Sequence, residues 1–167
     1  MAVWLCRAGR NGEHEARFME DSKVFYTFEE IDKPLSSFSS KKELRDYFTA
    51  VCPTMKEKAA SAYASQGHVF CREMKPGDWI VTPSKTAPGL IHFAEVSGEY
   101  AFNREAEEHY RHARPVRWFA DLRRDQFEQD IQFSLGAAIT ICKIKQEERI
   151  KAVVSRSGNG TNCTRFY

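Results

Sequence analysis

Short apolar blocks broken by turn residues run along the first half of the chain. Residues 2–6 (AVWLC) are uniformly apolar and open into a loop carrying Gly9 and Gly12, which predicts a buried strand. Residues 13–20 hold charges around Phe18 and predict a helix packed through that ring. Residues 23–28 (KVFYTF) alternate and predict a second strand. A polar loop at 36–40 leads to Ser40 and Glu43, a capping box, after which Leu44, Tyr47, Phe48 and Val51 fall on one helical face. Pro53 ends that helix, and 54–74 predicts another, interrupted at Gly67.

The pattern then changes period. Lys75-Pro76-Gly77-Asp78 is a tight turn, followed by strands at 79–82 and 90–96 and a loop between them. Residues 100–103 extend the second of these after a turn at Gly98, and 115–119 (PVRWF) form a further strand. A short helix at 124–133, a strand at 137–143 (AAITICK) and a last helix at 146–154 follow. Residues 155–167, rich in Ser, Gly, Asn and Thr, predict a flexible tail or the start of a linker. Short strands mixed with helices and lacking a βαβ rhythm predict an α+β fold: a small, mostly antiparallel β-barrel surrounded by helices, in one domain spanning 1–154.

Composition narrows the function classes only a little. The chain has 167 residues, 42% hydrophobic, 29% charged and 13% aromatic, with a net charge of +2. That charge is too small to mark an indiscriminate nucleic-acid binder, although a local basic face is compatible with it. Neither a membrane-length apolar run nor a signal-like start is present, so a cytoplasmic protein is expected. The five cysteines (Cys6, Cys52, Cys71, Cys142, Cys163) lack metal-ligand spacing and read as free thiols, so no metal is expected. Asn159 and Asn162 match a glycosylation sequon that has no meaning inside a cell.

Catalytic constellations do not stand out. Asp78 and Lys85 flank a strand but lack the clustered carboxylates of a metal-dependent nuclease. Ser84 has no nucleophile elbow, and His68 with Cys71 at helical spacing reads most simply as two half-buried neighbours. Gly9 to Gly12 is too short for a dinucleotide fingerprint. The chain is therefore expected to be a binding protein without enzymatic activity or cofactor.

Binding residues are better candidates. Arg7 and Arg10 flank Gly9 after the first strand, Lys85 sits in a loop with Pro83 and Ser84, and Arg111, His112, Arg114 and Arg117 cluster later. Basic side chains on loops at one end of a barrel suit a phosphate backbone. The plainer alternative is solvated charge, paired in places with Glu13, Glu107 or Glu108. Trp4, Trp79 and Trp118 are core residues by their strand positions, unless one of them faces a pocket and stacks on a flat ligand.

Three stretches in this order carry a resemblance: VWLCRAGRNGEHE at 3–15, MKPGDWIVTPSK at 74–85 and HARPVRW at 112–118. Together with Ala94-Glu95-Val96 they resemble the EVE-like domain of the PUA-like superfamily found ahead of Mrr-type, modification-dependent restriction endonuclease domains. The likeness covers 1–154, while the nuclease domain itself is absent. Two motifs depart from the usual pattern: Arg7-Ala8-Gly9 replaces Ser-Glu-Pro, and Ala62-Tyr63-Ala64-Ser65-Gln66 replaces an Asn-containing helix motif.

The resemblance implies a DNA-binding specificity domain of a restriction or phage-defence system. Such a domain would read a modified base, methylated or hydroxymethylated cytosine, by flipping it out of duplex DNA into a pocket. It implies nucleic-acid contacts from Arg7, Gly9, Arg10, Ser65, Pro83, Ser84, Lys85 and Arg114, and a base pocket drawing on Trp4, Tyr63 or Trp79. The partners implied are modified duplex DNA and a fused or associated nuclease domain. PUA-like barrels also bind RNA, so a module reading modified RNA is the alternative, and a small ligand-binding domain a third.

Overall fold

The computed structural model describes residues 1–28 and 30–158. Strand β1 (Val3–Cys6) lies between two apolar clusters: Val3 and Leu5 enter one, Trp4 and Cys6 the other. Successive strand side chains point to opposite faces, so an unbroken apolar run is what a strand covered on both sides needs. Helix α1 (Glu15–Asp21) follows and stops at Ser22, whose φ of 50° is left-handed. Strand β2 (Lys23–Tyr26) leads through a 3-10 turn to α2 (Lys41–Val51) and α3 (Glu57–His68).

The predicted cap at Ser40 forms on one side only, its hydroxyl accepting from the Glu43 N–H. The Glu43 carboxylate reaches Ser39 instead of Ser40, taking its N–H and its hydroxyl. Val51 is exposed despite its place on the apolar face. Gly67 does not interrupt α3. A Cβ there would lie 3.0 Å from Leu44 and 3.1 Å from Tyr26, so the bare glycine lets α3 close on its neighbours. The helix changes pitch just beyond, in a π-turn at Val69–Glu73.

The remaining elements are β3 (Trp79–Pro83), β4 (Leu90–Val96), β5 (Ala101–Phe102), β6 (His112–Arg123), α4 (Gln129–Leu135), β7 (Ile141–Lys143) and α5 (Glu147–Gly158). The sheet order is β2-β6-β4-β3-β1-β7, with β5 added against β6. Every pairing is antiparallel except β1 with β3. β6 is much longer than the five-residue run expected at 115–119, because its first part pairs with β2 and its second with β4. Between Phe93 and Ala94 the register slips, so that Phe119 is an extra residue. A bulge of this kind bends the strand.

The fold is α+β, with a strongly curled half-barrel sheet. This agrees with the barrel-like, mostly antiparallel sheet expected from the sequence, and the barrel is open: among the described residues no ladder joins the edge strands β2 and β7. Helices α1 to α3 belong with the cluster of Trp4, Phe18, Phe48 and Phe70, whereas α4 and α5 cover the cluster of Val3, Leu5, Phe93 and Ile131. Residues 101–102 form their own strand instead of extending β4. The strand expected over 137–143 shortens to Ile141–Lys143, and the Arg7 N–H continues its ladder with β1 by donating to the Thr140 carbonyl. Residues 155–158, expected in the tail, complete α5; the rest of that tail, with Asn159, Asn162 and Cys163, lies outside the described residues. No helix among the described residues is long and apolar enough to cross a membrane.

Candidate nucleic-acid interface

Because β1 and β3 run parallel, their C-terminal ends emerge together (Leu5 opposite Val81). β7 begins opposite the end of β1, with Ile141 facing Cys6. Three segments therefore converge at one end of the sheet: 7–14 after β1, 84–89 after β3, and 137–140 before β7. Helix α3 walls the side.

A buried carboxylate anchors this end. Glu15 accepts from the Ser84 hydroxyl (2.6 Å), the N–H groups of Lys85 (3.0 Å) and Thr86 (3.1 Å), and His92 Nε2 (2.9 Å). Burial alone would raise its pKa; the hydrogen bonds outweigh that and hold it at about 2. On the far side of the imidazole, His92 Nδ1 lies 2.7 Å from Asp121. Burial pushes His92 down, but the two flanking carboxylates prevail and raise it, so both ring N–H groups donate. The loop at 84–87 is thus wrapped around an ionised carboxylate, which fixes where Lys85 leaves the surface.

The loop after β1 answers differently from the sequence expectation. Gly9 and Gly12 have φ of 89° and 77°, a region glycine enters without strain. A Cβ on Gly9 would lie 2.5 Å from Glu13 Oε1, and one on Gly12 would lie 2.7 Å from Lys85 Cβ. The Glu13 carboxylate accepts from the N–H groups of Arg10 and Asn11, both at 3.0 Å. Two of the loop's N–H groups are therefore filled by the chain's own acid, and Gly9 and Gly12 make room for Glu13 and Lys85.

Five of the eleven predicted site residues nevertheless meet. Arg7, Gly9, Arg10, Tyr63 and Lys85 line one cavity of about 610 Å³. Trp4 and Ser65 line a second of about 710 Å³ farther along α3. Ala62, Gln66 and Ile139 border both. Gln66 ties the wall together, its Oε1 accepting from the Ile141 N–H at 2.9 Å and its Nε2 donating to the Ala62 carbonyl. The Tyr63 ring packs on Phe28 with centroids 4.4 Å apart, and both residues face the 610 Å³ cavity. Arg10 and Lys85 side chains make no hydrogen bond or ion pair among the described residues, and Arg7 makes one bond, from Nη1 to the Ala137 carbonyl.

Other expectations are corrected. Arg114 is 1% exposed and cannot reach a phosphate. Its guanidinium donates to the carbonyls of Phe70 (2.7 Å) and Cys71 (2.9 Å) in the π-turn that follows α3, and to that of Gly98 (3.2 Å) beyond β4. Trp79 lies on the opposite face of the sheet, edge-on to Phe119 at 5.0 Å, so it is no part of this pocket. Trp4 is 5% exposed, and its indole N–H donates to Asp78 at 2.9 Å; only a margin of it borders the larger cavity. Trp118 is core, its N–H donating to the Phe18 carbonyl. Ser84 is buried and its hydroxyl is given to Glu15, while Pro83 is paired in β3 opposite Ile91. Arg117 pairs with Glu95 at the surface.

Glu15, His92, Asp121 and Gln66 were missed. His92 did carry a signal, as a polar residue inside the otherwise apolar LIHFAEV strand, where burial requires partners. Glu15 carried none, since an acid in the first turn of a helix is ordinary. Among the described residues no group of His, Cys, Asp and Glu could hold a metal ion.

A family model described as a domain of unknown function (DUF8426) matches residues 4–142. No curated protein matches the chain.

Proposed function

The chain belongs to the DUF8426 family, and we propose that this member is a nucleic-acid reader that takes one modified base out of duplex DNA into the cleft beside α3. The observation that carries the reading is the 610 Å³ cavity, where an aromatic face, Tyr63 on Phe28, shares one rim with Arg7 and with Arg10 and Lys85, whose side chains are unpaired among the described residues. Ligand cavities commonly measure about 300–1,000 Å³. An extruded base needs a stacking face and a dry enclosure, and its phosphates need cations at the mouth. Tyr63 and Phe28 offer the stacking face, and Arg7, Arg10 and Lys85 the cations, on segments that meet at this end of the sheet.

In this reading the half-barrel is a divergent EVE-like member of the PUA-like superfamily. Methylated or hydroxymethylated cytosine in DNA is the preferred target, and an associated nuclease in the cytoplasm acts on what the domain finds. The chain itself binds and does not cut. Support comes from the motif resemblance and from the position of the cleft.

One titration tests it. Duplexes of one sequence carrying cytosine, 5-methylcytosine or 5-hydroxymethylcytosine are compared with RNA of that sequence. Preference for a modified duplex supports the reading. Preference for RNA moves the function to RNA recognition, and indifference to all four points to a small ligand in the same cleft.

A further inference from the structure

Beside the cleft lies a smaller cavity of about 210 Å³, between the β3–β4 turn and the end of α4. Arg7, Lys85 and Arg124 line it, and none of its described lining residues is acidic. Arg7 and Arg124 are half-buried, and each is held by a backbone carbonyl: Arg7 Nη1 donates to Ala137 at 2.9 Å and Arg124 Nη2 to Gln132 at 2.7 Å. Neither guanidinium has an acidic partner among the described residues. Glu15 does not supply one, since its oxygens are taken by Ser84, His92 and two backbone N–H groups.

Gly136 carries the second observation. Its φ of −89° and ψ of 5° are open to any residue, so no backbone requirement explains the glycine. A Cβ there would sit 2.9 Å from Arg124 Nη2. The missing side chain leaves the space through which the Arg124 guanidinium enters the cavity. Cations gathered out of full solvent without a counter-charge are costly unless an anion completes the site. Fixed guanidinium forks match phosphate oxygens and lose little freedom on binding them.

We infer that Arg7, Lys85 and Arg124 form a seat for a single phosphate group, with Gly136 kept bare to admit the Arg124 guanidinium. The seat shares Arg7 and Lys85 with the 610 Å³ cavity, so a phosphate bound here adjoins whatever enters the cleft. It rests on the proposed nucleic-acid reading only for the source of that phosphate, an internal diester of the strand or a terminal 5′-phosphate.

The test is calorimetric titration with inorganic phosphate at neutral pH and low salt, against a chloride control. The wild-type chain is compared with Lys85→Gln, whose side chain is exposed, and with Gly136→Ala, which shifts the guanidinium without changing the charge. One phosphate per chain is expected, with each variant about tenfold weaker. No phosphate-specific heat from the wild-type chain, or equal affinity in all three proteins, overturns the seat. A second arm uses one oligonucleotide with a 5′-phosphate or a 5′-hydroxyl. Extra affinity from the 5′-phosphate that Lys85→Gln removes supports a terminal group, and equal weakening of both supports an internal diester. Phosphate binding with no affinity for any oligonucleotide leaves the seat standing and sinks the nucleic-acid reading alone.

Discussion

His92 of β4 donates to Glu15 of α1 across 2.9 Å, although 77 positions separate them in the chain. With Asp121 on its other nitrogen, the ring is charged in the fold, and one proton joins the β3–β4 loop to the centre of the sheet. A second buried imidazole does the opposite. His112 Nε2 donates to the Ile31 carbonyl and Nδ1 accepts from the Tyr100 hydroxyl, so the ring is neutral and burial lowers its pKa to about 4.

These two histidines predict the pH profile of stability. His112 titrates at about 4 folded against an ordinary 6.5, so the unfolded chain binds the extra proton between those values. Stability therefore rises with pH from about 4 and is fully gained by 6.5. His92 is raised above 6.5, so its contribution is complete below that value and is lost as pH climbs through the folded pKa. Glu15, held at about 2, loses its contribution only below its ordinary 4.5. Thermal melts across pH should peak near 6.5, His92→Gln should flatten the alkaline fall, and His112→Gln should flatten the acid rise. An alkaline limb that stays as steep in His92→Gln removes the charged-imidazole assignment.

Arg114 should matter to folding and not to ligands. Arg114→Met leaves three carbonyls without their donor, which should cost about 3–5 kcal/mol, as other losses from buried polar networks do. Denaturant midpoints measure this. A variant of wild-type stability with weakened nucleic-acid binding would return Arg114 to the interface.

On the proposed reading, salt dependence should separate Arg10 and Lys85 from basic residues that reach no phosphate. Neutralising Arg10 or Lys85 should each reduce the slope of log affinity against log salt by about one. Arg117→Gln, which breaks only the surface pair with Glu95, should leave the slope unchanged. Fluorescence anisotropy at several salt concentrations reads all three.

Stacking should depend on Tyr63 and be indifferent to Trp79. Stacking is worth about 1–3 kcal/mol per base, so Tyr63→Leu should weaken modified-duplex binding about tenfold or more. Trp79→Leu, on the opposite face of the sheet, should cost stability and spare affinity. A 2-aminopurine beside the modified base should brighten on binding the wild-type chain. Tight binding with the probe still quenched would mean that the groove is read without extrusion.

Local features were legible in the sequence, and features made by distant pairing were not. β1, α1, β2, β3 and β4 fell close to where alternation and turn residues placed them, because burial on known faces imposes those periods. The gathering of Arg7, Arg10 and Lys85 was also anticipated, since each follows a strand end. The fate of Arg114 was not, for a basic residue in a basic stretch looks the same whether it faces water or caps buried carbonyls 43 and 44 positions away. Trp79 was misplaced for a related reason: alternation says that its face differs from that of Ile80, but not which helices cover each face.

The lone parallel pairing, β1 with β3, also sets when the cleft can appear during folding. It joins strands separated in the chain by α1, β2, α2 and α3, and the β2–β6 and β1–β7 ladders join strands farther apart still. The Trp4–Asp78 bond that seals it spans 74 positions, a closure whose entropy cost falls before its contacts are gained. The walls of the cleft therefore come into register in a late step, with the collapse of the whole sheet. A nascent or partly unfolded chain would have helices and hairpins but no cleft, so on the proposed reading binding would double as a reporter of completed folding.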